Sequence, residues 1–189
     1  MKYFLTFFVA AFFLATAVPA TATQADPDLD AIFSRLKATH DPVEAENLQK
    51  YIWRLWVKTD DATVRELFGE SRELLLRNDY LTALGIASKI VKLAPDHAEG
   101  WNLRATIFYA LGDYASSIAD VEKTLVLEPR HFGALVGLGM MYIEMGQDKD
   151  ALKAFQRALA VNPHLDQARQ RIEALTGQPK GGRMKGGGI

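Results

Sequence analysis

Three prolines, Pro95, Pro129 and Pro163, stand 34 residues apart, and a set of other columns keeps the same interval. Leu67, Trp101 and Leu135 form one column; Leu74, Phe108 and Tyr142 form another. Leu84, Ile118 and Leu152 recur in step, as do Val91, Leu125 and Leu159. A chain written in such copies stacks like units side by side, because one unit cannot bury its own apolar face. Within a unit, Leu67 and Leu74, then Leu84, Ala87 and Val91, fall at helical spacing. Between the two stretches stand Asn78, Gly112 and Gly146, residue types that tolerate the left-handed conformation ending a helix. Asp79, Asp113 and, one place later, Asp148 suit the N-cap of the following helix. The prolines prevent that second helix from continuing. Asp96 with Glu99 offers a variant of the capping box for the next unit. Each unit is expected to be a helix, a tight turn and an antiparallel helix.

This pattern resembles the tetratricopeptide repeat, in which Trp, Leu-Gly, Tyr, Ala, Phe and Pro hold fixed offsets. The third copy matches most fully, with Leu135, Leu138-Gly139, Tyr142, Ala151, Phe155, Ala158 and Pro163. The second keeps Trp101, Phe108 and Pro129 but has Arg104-Ala105 in place of Leu-Gly, and Ser117 and Val121 further on. The first is the most divergent, with Leu67, Glu70-Ser71, Leu74, Ala83, Ala87 and Pro95. The resemblance implies an all-α fold, a right-handed solenoid of antiparallel helix pairs, with copies at about 64–97, 98–131 and 132–165. The stretches Ala98-Glu99-Gly100-Trp101-Asn102 and Glu128 through Leu135 are similar, more narrowly, to exported alphaproteobacterial members of that family. That narrower group brings no defined biochemical activity with it.

The flanks read differently. Residues 23–63 hold two apolar stripes, Leu29-Ile32-Phe33-Leu36 and Leu48-Ile52-Leu55-Trp56, parted by Asp41-Pro42. They are expected to form a helical hairpin, either a fourth degenerate repeat or a cap on the N-terminal end of the stack. Residues 164–175 are expected to close the other end, with Leu165, Ala168, Ile172 and Leu175 inward. Residues 176–189 carry three basic residues, no acid and many glycines, as a flexible tail would. At the start, Lys2 precedes an almost wholly apolar run from Phe4 to Val18, broken by Pro19 and followed by small residues. That order is that of a secretory signal peptide, taken here as residues 1–22, and it predicts a soluble product that is periplasmic or secreted. The alternative is an uncleaved anchor, against which the run is short of the roughly 20 residues that span a bilayer.

Composition narrows the chemistry. With 22 Lys+Arg against 23 Asp+Glu there is no basic excess to favour nucleic acid. The absence of cysteine excludes disulfides, thiolate metal sites and cysteine nucleophiles. The glycines of 133–139 lie inside a helix rather than after a strand, so they do not form a phosphate loop. His97, His131 and His164 fall at the inter-repeat prolines, too far apart in a stack to chelate one metal at bonds of about 2 Å. No catalytic motif stands out; neither enzyme activity nor a cofactor is expected.

Family resemblance places peptide binding on the concave face, lined by the first helix of each repeat. Projected onto that pattern, the face comprises Arg65, Phe68, Arg72 and Leu75 from the first copy. The second contributes Asn102, Thr106 and Tyr109, and the third Val136, Met140 and Ile143. Such a surface suits a protein or peptide segment with apolar anchors and an acid near Arg65 and Arg72. The clamp with which some members hold a chaperone's C-terminal carboxylate is largely missing: its positions carry Phe68, Arg72, Gly133 and Gly137. Self-association is the alternative use of the module, and carriage of a small apolar ligand a weaker third. On the address, N-terminal sequencing of the mature protein is expected to begin between Thr21 and Asp26, with the protein released by osmotic shock; retention of Met1 and Lys2 in membrane-bound material would overturn this.

Overall fold

The computed structural model describes residues 28–177, so the proposed signal segment and nearly all of the glycine-rich tail lie outside the described residues. Among the described residues the chain forms nine helices and no strand. They are α1 (Leu29–Ala38), α2 (Pro42–Trp56), α3 (Ala62–Leu76), α4 (Tyr80–Leu93), α5 (Ala98–Ala110), α6 (Tyr114–Leu127), α7 (Phe132–Glu144), α8 (Asp148–Val161) and α9 (Asp166–Thr176). None of them is long and apolar enough to cross a membrane.

The three repeats are the pairs α3–α4, α5–α6 and α7–α8, each packed as an antiparallel hairpin. Asn78, Gly112 and Gly146 take φ of 57°, 78° and 69°, the left-handed turn that the column predicts. Asp79 and Asp113 then cap α4 and α6, accepting from the backbone N–H of Thr82 and Ser116. The third repeat departs from this: Gln147 is the N-cap of α8 and makes no side-chain cap, while Asp148 sits inside the first turn, where an acid still favours the helix dipole. Nor does Glu99 complete a capping box, because it is buried and bonded to His131 and Asn102 instead.

Successive repeats join through the second helix of one and the first helix of the next, α4 on α5 and α6 on α7, with α8 on α9 closing the series. The faces that meet the preceding pair include Gly100, Leu103 and Ile107 in α5, and Ala134 and Met141 in α7, with Gly137 at the register position between them. Their counterparts in α3 are Glu66, Gly69 and Glu73, all exposed. The front of the stack is thus already polar and needs no covering helix. Behind it, Arg104 donates twice to the buried Asp120, at 2.7 and 2.8 Å, fixing α5 to α6.

That polar front explains where the N-terminal hairpin goes. It neither caps the stack nor adds a fourth repeat in line. Its core unites Leu29, Ile32, Phe33, Leu36, Ile52 and Trp56 with Phe132 at the start of α7, and with Val161 and Leu165 near the C-terminal end. No residue of α3 or α4 belongs to it. The hairpin lies along the edge formed by the loops between repeats, and a histidine from each loop meets it. His97 Nε2 donates to the Lys58 carbonyl at 3.2 Å, and His164 Nε2 to the Leu36 carbonyl at 2.9 Å. His131, between them, stacks on Trp56 with ring centroids 4.0 Å apart. Arg130 from the same loop bonds both Glu128 and Asp30 of α1, its guanidinium 4.6 Å from the centre of the Phe33 ring. Trp53 presses against Phe132 and His131, so both tryptophans of α2 are packing residues.

Two outcomes are expected. Gly112→Val should cost on the order of 2 kcal/mol, since a β-branched side chain is poorly tolerated at positive φ; thermal denaturation measures it. Trp56→Ala should cost about 3–5 kcal/mol locally. In hydrogen exchange the amides of α1 and α2 should then lose protection while those of α5 to α8 keep it.

Candidate functional site

The first helices of the three repeats are α3, α5 and α7, and an open space lies between the second and third repeats. A cavity of about 270 Å³ lies there. From α5 come Asn102, Ala105, Thr106 and Tyr109; from α7, Gly133, Ala134, Gly137, Met140 and Met141. Ser117 and Val121 of α6 also line it, and Gln167 of α9 contributes from the C-terminal side. The lining is mostly apolar, with hydroxyl and amide groups among it.

A repeat column accounts for the cavity. Gly69, Leu103 and Gly137 are equivalent, each 34 residues from the next. At the first junction Leu103 packs against Ile86 and Ile90, and against Ala83 and Ala87, filling the notch between α4 and α5. At the second junction the same place is Gly137, and a Cβ built on it would meet nothing within 4 Å. Gly133, one turn earlier, is used differently. A Cβ there would come within 2.8 Å of the Trp53 ring, so the absent side chain lets the hairpin sit directly on α7 beside the cavity.

The polar groups of the wall are held in defined states. Glu99 Oε2 accepts from Asn102 Nδ2 at 3.1 Å and from His131 Nε2 at 2.8 Å. His131 Nδ1 accepts the backbone N–H of Ala134 at 3.0 Å, which caps α7 and assigns the ring proton to Nε2. Thr106 donates its hydroxyl to the Asn102 carbonyl at 2.9 Å. Burial, followed by the charge of Glu144 and the neighbouring Tyr114, pushes the Tyr109 phenol above its ordinary range. A phenol is protonated at neutral pH without any such shift, and the Tyr109 hydroxyl is able to donate there.

The ten residues projected onto the concave face divide into three groups. Asn102, Thr106, Tyr109 and Met140 line the cavity together. Arg65 and Arg72 are exposed on α3; Arg65 donates to the Thr59 carbonyl at 3.3 Å. The other four are engaged in packing. Phe68 lies among Val64, Ile86 and Ile90 with its ring 5.2 Å from that of His97, and Leu75 packs with Ala83, Ala87 and Ile107. Val136 and Ile143 pack against the α8–α9 junction at Phe155 and Ala168, because α9 closes over their side of α7. Of the cavity's lining, the projection did not include Gly137, Gly133, Ala134 and Met141 of α7, Ala105 of α5, Ser117 and Val121 of α6, or Gln167 of α9. The Gly69–Leu103–Gly137 column carried the signal for Gly137, as a missing side chain in an otherwise filled series. No group of His, Asp or Glu among the described residues is disposed to hold a metal ion.

Family models of the tetratricopeptide repeat match residues 68–126 and 133–165. A TPR repeat-containing protein of Rhizobium etli is 34% identical over 155 residues, which span 82% of this chain and 76% of that protein. The chain belongs to the tetratricopeptide-repeat family. Among solved structures, it resembles the TPR2B domain of yeast Sti1 in its pHsp70 complex at a TM-score of 0.58 and 20% identity, over 63% of this chain and 100% of that one. The first TPR of Spaghetti (RPAP3), bound to the HSP90 peptide SRMEEVD, aligns at a TM-score of 0.60 and 17% identity, over 63% of this chain and 94% of that one. At these identities the likeness is one of fold.

Proposed function

We propose that this protein is a non-enzymatic interaction module of the bacterial cell envelope that binds a polypeptide segment along its concave face. The observation that carries this is the meeting of Asn102, Thr106, Tyr109 and Met140 around one cavity. These residues combine hydrogen-bonding groups with an apolar floor, as a main chain with an apolar side chain requires. Solved relatives of the same fold hold Hsp70 and HSP90 peptides, which supports peptide as the ligand class. Glycines at two clamp positions, Gly133 and Gly137, speak against a C-terminal carboxylate as the feature recognised. The envelope address is supported by the order of charge, apolar run and small residues at the N-terminus.

The test is a double change, Arg72→Ala with Tyr109→Ala, examined by pull-down from cross-linked envelope extract beside sedimentation of the purified protein. Aromatic and Arg side chains dominate interfaces, each truncation costing about 2 kcal/mol at a hot spot. Partner capture should fall sharply with helical content unchanged. A changed sedimentation profile with capture intact would mean that the face serves self-association instead. If both measurements match wild type, the concave face is not the working surface.

A further inference from the structure

The cavity lies where the repeat column lacks a side chain, and that absence has a direction. At the first junction the chain supplies its own filler, Leu103, seated among Ile86, Ile90, Ala83 and Ala87. At the second, Gly137 withholds it, and the vacated space opens beside Asn102, Thr106 and Gln167. We propose that this notch is the anchor pocket of the groove, taking one bulky apolar side chain, Leu, Met or Phe, from an extended polypeptide partner. This rests on the peptide-groove reading above and deepens it.

At about 270 Å³ the cavity has room for one large side chain. The structure itself shows which side chain fits the shape, because the equivalent notch one repeat earlier holds a leucine. The surrounding chemistry suits a main chain rather than a free hydrocarbon: Thr106 and Gln167 are exposed at the rim, and the protonated Tyr109 hydroxyl can donate to a carbonyl.

The pocket can be plugged without disturbing the fold, since a Cβ on Gly137 meets nothing within 4 Å. Gly137→Leu should therefore keep the melting temperature at or above that of wild type, and Gly137→Ala serves as a milder second variant. Two probes are read on all three proteins. The first is a display library of random dodecapeptides selected on the full-length mature protein. Sequences enriched on wild type should share one Leu, Met or Phe, whose replacement by Ala weakens binding roughly tenfold or more. The same peptides should lose a similar factor on Gly137→Leu and a smaller one on Gly137→Ala. The second probe is indole, followed through the methyl signals of Met140 and Met141, which it should shift in wild type and leave unmoved in Gly137→Leu.

Peptides that bind Gly137→Leu as tightly as wild type, while still losing affinity to the Arg72 and Tyr109 changes, would overturn the anchor pocket and leave the groove standing. Failure to enrich any peptide would overturn both. Indole binding blocked by Gly137→Leu, with no peptide enriched, would give the notch to a free apolar ligand and refute the polypeptide occupant.

Discussion

His131 is fully buried, and every part of its ring is engaged. Nδ1 caps the N-terminus of α7, Nε2 donates to Glu99 on α5, and one face lies on Trp56 of α2. Three elements distant in sequence meet at one imidazole. Nδ1 accepts the Ala134 N–H, so the ring proton that reaches Glu99 is the one on Nε2. Glu99 is buried beside it and is satisfied by His131 and Asn102 together. Removing any member would leave a polar atom without a partner in a dry interior, the costly side of the hydrogen-bond balance. The second and third repeats, the hairpin and the groove wall depend on this small network for their mutual placement.

The hairpin is free to take that position because the first repeat does not need it. Where α5 and α7 offer apolar or small residues to the pair before them, α3 offers Glu66, Gly69 and Glu73 to water. Trp56 and Trp53 find their apolar partners along the loop edge instead, at Phe132 and over Gly133. One side of the groove is bordered by this hairpin and the far end by α9, which covers Val136 and Ile143. What remains open is the short stretch around α5 and the middle of α7. A segment bound there would be held chiefly by the second and third repeats, with α3 supplying charge.

Much of this was legible in the sequence because it is local or repeated. The 34-residue period, the left-handed turns at Asn78, Gly112 and Gly146, and the caps at Asp79 and Asp113 each depend on residues close together in the chain. The hairpin's stripes were readable too, but not the surface they would meet, for nothing local links Trp56 to His131. Glu99 misled for a related reason: its spacing from Asp96 fits a cap, while a histidine in the next loop outbids the backbone for its carboxylate. Of the ten residues projected onto the concave face, Asn102, Thr106, Tyr109 and Met140 fall around one cavity. The packing of Phe68, Leu75, Val136 and Ile143 was not legible, because it is decided by neighbours in other helices.

The contacts along the loop edge also fix how long this array can be. Lys58, Trp56 and Leu36 meet His97, His131 and His164 in turn, one contact to each junction. A rigid hairpin touching three successive junctions acts as a gauge of their spacing. Solenoids commonly lengthen by duplicating a unit, since each repeat needs only its neighbours. Here a repeat duplicated after the second junction would carry His164 beyond the reach of the Leu36 carbonyl, while Phe33 and Trp56 would keep Phe132 and His131. The number of units is thereby written into the geometry of a segment that is not itself a repeat, and an open-ended architecture becomes one of fixed length.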